Sequence, residues 1–178
     1  MYSSILLAGA LATTLVSAWP FPLTTRQAFS TDPNAPCGLQ SFGYGPPSTT
    51  DTNFQQNPAI QLSSLIAPTP SGYTASFRNA TGSSQQAGYQ GYYLLQSYNT
   101  TACAGYCNSV SGCTAFNIYY ERDPLQNPAA QCQNPLPTTN IKCSLYSQSV
   151  SQATATNNGQ YREQFHVVIA GSDGFNHN

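Results

Sequence analysis

Charged side chains are scarce in this sequence. Lysine and arginine number 5 and aspartate and glutamate 6, so only 6% of the 178 residues are charged and the formal net charge is −1. A protein that binds nucleic acid neutralises many phosphates with basic side chains, and too few are present here. We therefore expect no nucleic-acid partner and a surface covered by serine, threonine, asparagine and glutamine.

Long apolar runs are also lacking beyond the N-terminus. No later stretch reaches the roughly 20 apolar residues that a membrane helix needs. Residues 171–178, GSDGFNHN, lack the hydrophobic tail of a lipid-anchor signal. The sequence therefore predicts no membrane span.

The one apolar run, Ile5–Val16, is typical of a secretory signal peptide. It leads into the small residues Val16-Ser17-Ala18, although no basic residue precedes it. We predict a signal peptide at residues 1–18 and, with Arg26 as a processing site, a pro-segment at residues 19–26. A buried N-terminal helix is the alternative interpretation. The expected location is extracellular or associated with the cell wall.

Six cysteines are present, an even number that favours complete pairing in an oxidising compartment. Spacing alone permits fifteen connectivities. A bridge across the six-residue step from Cys107 to Cys113 would tie the end of a short helix to the next strand. The favoured set is Cys107–Cys113, Cys103–Cys143 and, by elimination, Cys37–Cys132.

Two other uses of the cysteines fit less well. A zinc site usually has a C-x2-C pair or a Cys/His cluster, whereas the first spacing here is C-x3-C and the histidines lie far away at His166 and His177. A catalytic thiol needs an unpaired cysteine beside a base, and an even count leaves none over. The sequence therefore predicts no metal and no cofactor.

The chain divides into two unequal parts. Residues 27–70 are rich in proline, serine, threonine and glutamine, with one modest apolar patch at Ile60–Ile66. This composition predicts an irregular, extended lead-in anchored by Cys37. Residues 71–175 concentrate the aromatics and cysteines, which predicts one small α+β domain stapled by disulfides.

Within that domain the pattern alternates strands with one short helix. Tyr89–Asn99 and Cys113–Tyr120 are strand-like, and the segment between them begins with threonines that favour a helix N-cap at Thr100 or Thr101. In the second strand, Phe116, Ile118 and Tyr120 should share one face.

The charged triplet Glu121, Arg122 and Asp123 is interpreted as the exit of that strand into solvent. A loop of about twenty residues follows and carries Cys132, a length that indicates a functional or pinned segment. Lys142–Tyr146 resumes the sheet. A turn at Asn158-Gly159 leads into a single last strand over residues 160–170, with Tyr161, Phe165, Val167 and Ile169 on one face and Arg162, Gln164 and His166 on the other.

The order of these motifs resembles the PAN/apple module. A helix carries Cys103 and Cys107, one strand carries the G-C-x-A-F motif of Gly112–Phe116, and another carries the C-x-L motif of Cys143–Leu145. The segments APTPSGYTASF, AFNIYYERDP, NIKCSLY and NNGQYREQFHVVIAGSDGF are also similar to a family of secreted, largely uncharacterised fungal proteins with an apple-like domain.

The resemblance implies a fold and a cysteine pairing. The fold is a curled antiparallel sheet with one short helix packed across it, and the implied bridges are Cys103–Cys143 and Cys107–Cys113. The long Cys132 loop and the third bridge depart from the minimal pattern. Similar chains often continue past the GSDGF segment into a second cysteine-containing region that this sequence does not have.

Apple modules bind proteins or carbohydrates and have no catalytic chemistry of their own, so the resemblance implies a binding function. The residues agree, because the sequence offers few titratable groups. Glu121 and Asp123 fit a solvated turn better than an acid/base pair, His166 fits a surface position and His177 a frayed tail.

Tyrosines are the better candidates for binding. The chain has 12 of them, and their flat, amphipathic rings suit sugars or protein contacts, although most should fill the small core. Strand alternation should turn one ring outward in each of the pairs Tyr92/Tyr93 and Tyr119/Tyr120. These four tyrosines and the Cys132 loop are the predicted ligand-binding surface.

The sequence thus predicts a secreted, non-catalytic binding module for cell-wall polysaccharide or for an extracellular protein or glycoprotein. The sequons at Asn79 and Asn99 predict N-glycans. A structural constituent of the wall or matrix, without a discrete ligand, is the alternative. A small hydrolase that uses Glu121 is the third hypothesis.

Overall fold

The computed structural model describes residues 30–40, 42–47 and 51–178. The predicted signal peptide and pro-segment lie outside the described residues. The helices are α1 (Asp51–Gln55), α2 (Pro58–Ile66) and α3 (Thr100–Ser109). The strands are β1 (Tyr73–Ala80), β2 (Tyr89–Leu95), β3 (Ala115–Pro124), β4 (Pro137–Tyr146), β5 (Tyr161–Arg162), β6 (Phe165–His166) and β7 (Val168–His177).

An antiparallel sheet organises the described part of the chain, as the α+β prediction requires. Its strand order is β1-β7-β3-β4-β2, so β3 lies at the centre and β2 at one edge. β3 and β4 pair without a register break from Ala115 opposite Tyr146 to Pro124 opposite Pro137. β5 and β6 form a separate two-stranded hairpin.

One side of the sheet, here called the core face, packs against the helices. Because side chains alternate along a strand, Phe116, Ile118 and Tyr120 of β3 point to this side together and are buried in one apolar cluster. Phe54 of α1 and Ile60 of α2 are fully buried in the same cluster. Burial of such side chains contributes about 1.5–3 kcal/mol each, which makes the core face the main source of stability.

Helix α3 is held on the core face by two disulfides. Cys103 is bonded to Cys143 of β4, and Cys107 is bonded to Cys113 just before β3, with Cα atoms 5.6 Å and 5.3 Å apart. The third bridge, Cys37–Cys132, joins residues 95 positions apart, and no cysteine is free. The three bridges join the same cysteines that the spacing favours.

The predicted irregular lead-in is wrong for its second half, where α1 and α2 form. The side chain of Asn57 accepts a hydrogen bond from the backbone of Ala59 (2.9 Å), and Pro58 occupies the first turn. This capping sets the start of α2, and Ile60 then anchors it in the core. The apolar patch at Ile60–Ile66 is thus part of the folded domain.

The predicted start of α3 and the predicted last strand also need correction. Asn99, not a threonine, caps α3, because its side chain accepts a hydrogen bond from the backbone N–H of Ala102 at 2.9 Å. The predicted last strand is broken by Glu163, whose φ of 52° reverses the chain between β5 and β6. β7 then continues to His177, which pairs with Tyr73 instead of fraying.

No helix in the described ranges has the length and apolar character to cross a lipid bilayer. Among the same residues, no three side chains of the His, Cys, Asp or Glu type come together as a metal-binding group.

Candidate functional site

The side of the sheet opposite the helices, here called the polar face, carries a row of polar side chains. Asn117, Tyr119 and Glu121 of β3 point to this side and pair across the strands with Ser144, Lys142 and Asn140 of β4. This arrangement follows from the period of two in both strands, since every second residue of the core-forming stretches is polar.

The predicted solvent exit at Glu121, Arg122 and Asp123 is wrong, because β3 extends to Pro124 and all its residues are buried. Arg122 points to the core face, where its guanidinium lies 4.3 Å from the centre of the Phe165 ring and donates to the His166 carbonyl (2.6 Å). Glu121 and Asp123 point to the polar face.

Lys142 brings these two carboxylates together. Its ammonium donates to Glu121 Oε1 and lies 3.3 Å from Asp123 Oδ2. The side chain of Asn140 donates to the same Asp123 oxygen at 2.6 Å. The side chains of Lys142, Glu121 and Asp123 are 14%, 11% and 12% exposed, so the cluster is shielded but within reach of solvent.

The protonation of this cluster follows from its surroundings. Burial, together with the neighbouring Asp123 carboxylate, raises the pKa of Glu121 to about 7 despite the opposing effect of Lys142. For Lys142, burial alone would lower the pKa, but Asp123 and Glu121 outweigh it and hold the pKa above its usual value. At neutral pH the lysine is therefore charged, while Glu121 is partly protonated and can both donate and accept hydrogen bonds.

A pocket of about 260 Å³, here called the charged pocket, opens over this cluster. Its floor is formed by β3 and β4, one wall by β2, and the opposite wall by the segment around β5. One end is formed by Gln40, in the segment before α1. The lining residues are Gln40, Tyr92, Leu94, Glu121, Asp123, Asn140, Lys142, Gln160 and Arg162.

The third disulfide helps to shape the charged pocket. Next to the Cys37–Cys132 bridge, the Cys37 N–H donates to the Asn127 carbonyl (3.0 Å), and the Gln40 N–H donates to the Leu125 carbonyl (2.9 Å). These bonds hold residues 37–40 against residues 125–136 and place Gln40 at one end of the charged pocket. The side chain of Arg162, in the wall around β5, donates to the side chain of Asn127 at 2.8 Å.

Tyr92 stands at the rim of the charged pocket on edge strand β2. Tyr92 is 51% exposed, and the Lys142 ammonium lies 5.1 Å from the centre of its ring. An ammonium at this distance is attracted to the ring face. The ring therefore offers an open amphipathic surface beside fixed hydrogen-bonding groups.

A β-bulge turns a second tyrosine to the same face. Tyr89 pairs with Tyr146 and Tyr92 pairs with Ser144, although the tyrosines are three positions apart on β2 and their partners only two positions apart on β4. Gly91, with φ of 108°, lies in the bulge and adopts a backbone conformation that a side chain would strain. Without the bulge, Tyr89 and Tyr92 would lie on opposite faces.

A second pocket of about 280 Å³, here called the neutral pocket, lies beside Tyr89 on the polar face. Its residues all carry hydroxyl or amide side chains: Ser83, Ser84, Gln85, Gln86, Tyr89, Tyr119, Ser144, Tyr146 and Asn157. The Tyr119 hydroxyl lies 3.2 Å from Ser144 Oγ in its floor, and Tyr146 donates to the Ser84 carbonyl at 2.6 Å.

The four predicted ligand-binding tyrosines do not form one surface. Tyr92 lines the charged pocket, but Tyr93 points to the core face and stacks on Tyr106 of α3, with ring centres 4.1 Å apart. The prediction that Tyr119 or Tyr120 faces outward is wrong, because they are 6% and 3% exposed. Tyr119 lies in the floor of the neutral pocket, and Tyr120 stacks on Tyr98 on the core face.

The two predicted glycosylation sites lie outside both pockets. Asn99 is exposed at the start of α3. Asn79 lies in β1 with φ of 51°, is only partly exposed, and its N–H donates to Ser64 Oγ (3.0 Å) and to Asp173 Oδ1 (2.9 Å). Neither asparagine contributes to the lining of either pocket.

The charged pocket was not predicted from the sequence. A usable signal was present, because a chain with only 5 basic and 6 acidic residues has three of them in a row at Glu121–Asp123, next to an aromatic strand. Charged side chains are rarely buried without partners, and Lys142 was the partner on the next strand. Predicting the contact required the β3–β4 register, which the sequence alone did not supply.

No protein-family model matches the chain, and no curated protein and no solved structure is similar enough to count as a match. The chemistry of the polar face is therefore the main guide to function. Its exposed tyrosines, hydroxyls, amides and paired charges are suited to a ligand with many hydrogen-bonding groups.

Proposed function

We propose that this chain is a secreted, non-catalytic binding module that recognises cell-wall polysaccharide on its polar face. The observation that carries the proposal is the exposed Tyr92 ring beside a pocket whose floor holds Glu121, Asp123 and Lys142 in fixed positions. Binding sites for small molecules commonly combine an apolar surface with a few well-placed polar groups.

Sugar chemistry matches this combination. A pyranose ring has an apolar face that can lie on an amphipathic aromatic ring, and hydroxyls that both donate and accept hydrogen bonds. In the charged pocket, Asp123 supplies acceptors, Lys142 supplies donors, and Glu121 supplies both near neutral pH because burial raises its pKa to about 7. Mixed donors and acceptors of this kind suit hydroxyl groups.

The same contacts support a binding role over a catalytic one. General acid/base catalysis needs a titratable group within reach of a substrate proton, yet the Lys142 ammonium contacts both carboxylates of the cluster. The histidines lie away from the cluster, with His166 stacked on Tyr161 and His177 packed edge-on against Tyr73. Glu121 and Asp123 therefore act as fixed hydrogen-bonding groups in this proposal.

We also propose that the domain has an apple-like fold. Support comes from the cysteine arrangement, in which α3 is bonded to β4 through Cys103 and Cys143 and to the start of β3 through Cys107 and Cys113. The Cys37–Cys132 bridge is additional to the minimal apple pattern and braces one end of the charged pocket. Three disulfides also fit an extracellular or cell-wall location.

A pull-down of the purified, oxidised protein on insoluble chitin, β-glucan and cellulose tests the function. We expect retention on one of these polymers and loss of retention after reduction and alkylation, because the disulfides hold the pocket walls. Absence of retention on all of them would contradict polysaccharide binding. It would leave an extracellular protein or glycoprotein partner, or a structural role in the wall or matrix.

A further inference from the structure

We infer that the charged pocket and the neutral pocket are two subsites of one cleft that selects an uncharged glycan chain over a cationic amino-sugar polymer. The inference rests on the proposed function and names its ligand class. It is carried by two features of the polar face, namely the continuity of the two pockets and the pairing of both lining carboxylates with Lys142.

Continuity follows from the strand register. The charged pocket lies beside Tyr92 and the neutral pocket beside Tyr89, whose partners Ser144 and Tyr146 are two residues apart on β4. Two residues of a strand span about 7 Å, and the bulge turns both tyrosines to the same side. Tyr119 of the neutral pocket lies opposite Lys142 of the charged pocket in the β3–β4 register, so the floors of the two pockets adjoin. The cleft is thus longer than a single sugar ring.

Charge balance selects against cationic ligands. Two carboxylates, Glu121 and Asp123, and two cations, Lys142 and Arg162, line the charged pocket, so it carries no net negative charge. Both carboxylates are already paired with Lys142, whereas Arg162 donates to the neutral side chain of Asn127. A ligand ammonium would lose hydration there without gaining an unpaired carboxylate.

The neutral pocket adds no charge to this balance. Every residue in its lining carries a hydroxyl or amide side chain. Such groups hydrogen-bond to hydroxyls and N-acetyl amides but do not compensate an ion in a shielded site. A charged sugar unit that avoided the charged pocket would therefore also lose hydration in the neutral pocket without gaining an opposite charge.

Calorimetric titration at pH 6 with matched oligosaccharides tests the selection. The probes are chitohexaose, cellohexaose and laminarihexaose as neutral chains, with fully deacetylated chitohexaose as the cationic one, because its amines are mostly protonated at this pH. We expect at least one neutral hexamer to bind and the cationic hexamer to bind about tenfold more weakly or not at all. Equal or tighter binding of the cationic hexamer would overturn the inference while leaving carbohydrate binding intact. Absence of binding to every probe would overturn both.

Two variants test the subsites and the charge balance separately. Tyr89→Ala should weaken binding of the neutral hexamer about fivefold or more, and Tyr161→Ala, an exposed tyrosine outside both linings, serves as its control. Arg162→Gln removes one of the two cations that line the charged pocket, so the disadvantage of the cationic hexamer should shrink at least threefold. An unchanged affinity for the Tyr89 variant, or an unchanged preference for the Arg162 variant, would contradict the proposal.

Discussion

The two faces of the sheet are built from the same strands but differ in composition. On β3, Phe116 and Ile118 enter the core face between the helices, while Tyr119 and Glu121 enter the polar face. All of these residues are buried, so burial alone does not distinguish the faces. The core face is mainly apolar, although Arg122 and Asp173 have hydrogen-bonding partners there, whereas the polar face needs partners for a whole row of hydrogen-bonding groups.

The comparison teaches where stability and recognition should be found. The core face gains from non-directional apolar burial and from the two disulfides that bind α3. The polar face contains a buried ion cluster, which stabilises a fold little compared with apolar packing. Substitutions on the core face should therefore act on folding, and substitutions at the open rim of the polar face should act on binding.

The largest expected effect is on the core face. Phe116→Ala removes a fully buried ring that packs on Phe175 and Tyr73, with ring centres 4.9 Å and 5.1 Å away. The free energy of unfolding should fall by about 3–5 kcal/mol, measured by urea denaturation with the disulfides intact. A loss below about 1 kcal/mol would contradict the assignment of this face as the main core.

The next effect comes from the polar face and sharpens the comparison. Lys142→Met keeps much of the side-chain volume but leaves Glu121 and Asp123 without their cation. The free energy of unfolding should fall by about 3 kcal/mol at pH 8, because two shielded carboxylates then repel each other. At pH 5 the loss should be smaller, since Glu121, whose pKa is raised to about 7 by burial, can take up a proton. A loss that is independent of pH would argue against the ion cluster.

A smaller effect is expected in the pH dependence of stability. Burial raises the pKa of Glu121 to about 7 in the folded state, from the value of about 4.5 that an exposed glutamate has in the unfolded chain. The folded protein therefore holds a proton that the unfolded chain releases, and this contribution is present below about pH 4.5 and lost as the pH rises through about 7. The groups that face Glu121 are Asp123 on its own strand, Lys142 and Asn140 on β4, Tyr92 on β2 and Arg162 near β5.

Glu121→Gln isolates this contribution. The unfolding free energies of the wild type and the variant should differ in slope between pH 5 and pH 8, with the wild type losing on the order of 2 kcal/mol more. Asp173, whose pKa is also raised by burial, remains in both proteins and cancels in the comparison. Parallel curves would show that Glu121 titrates normally.

The smallest effect concerns the helix that covers the core face. Asn99→Ala removes the side-chain oxygen that caps α3 through the Ala102 N–H. We expect the free energy of unfolding to fall by about 1 kcal/mol. Both proteins should be produced without glycosylation, because the substitution also removes a sequon, and Asn178→Ala at the chain end is a matched control. No difference from that control would mean that the two disulfides alone fix the helix.

Much of the core face could be predicted from the sequence. Alternating apolar residues in β3 and the cysteine spacing around α3 are local patterns, and they favoured the strand and two of the bridges, while the third bridge followed by elimination and the antiparallel sheet was implied by the resemblance. The helices before residue 70 were missed because a Pro/Ser/Gln-rich composition concealed Phe54 and Ile60, which become core residues only through contact with the sheet.

The polar face was harder to predict because it depends on contacts between distant parts of the chain. Lys142 meets Glu121 only through the pairing of β3 with β4, and Tyr89 joins Tyr92 only through a bulge at Gly91. Arg162 reaches the pocket because the chain reverses at Glu163, a residue that gives no turn signal in the sequence. Single-residue propensities carry none of this information.

The most direct measurement compares two neighbouring tyrosines on β2. Tyr92 lies at the rim of the charged pocket, whereas Tyr93 packs on Tyr106 on the opposite face and is 38% exposed. Affinity for the polysaccharide retained in the pull-down should be measured for Tyr92→Ala and Tyr93→Ala, with the folding of both checked by circular dichroism. We predict at least about a tenfold loss for the Tyr92 variant and less than about a twofold loss for the Tyr93 variant. Equal affinities, or a larger loss for Tyr93, would contradict the assignment of the polar face as the binding site.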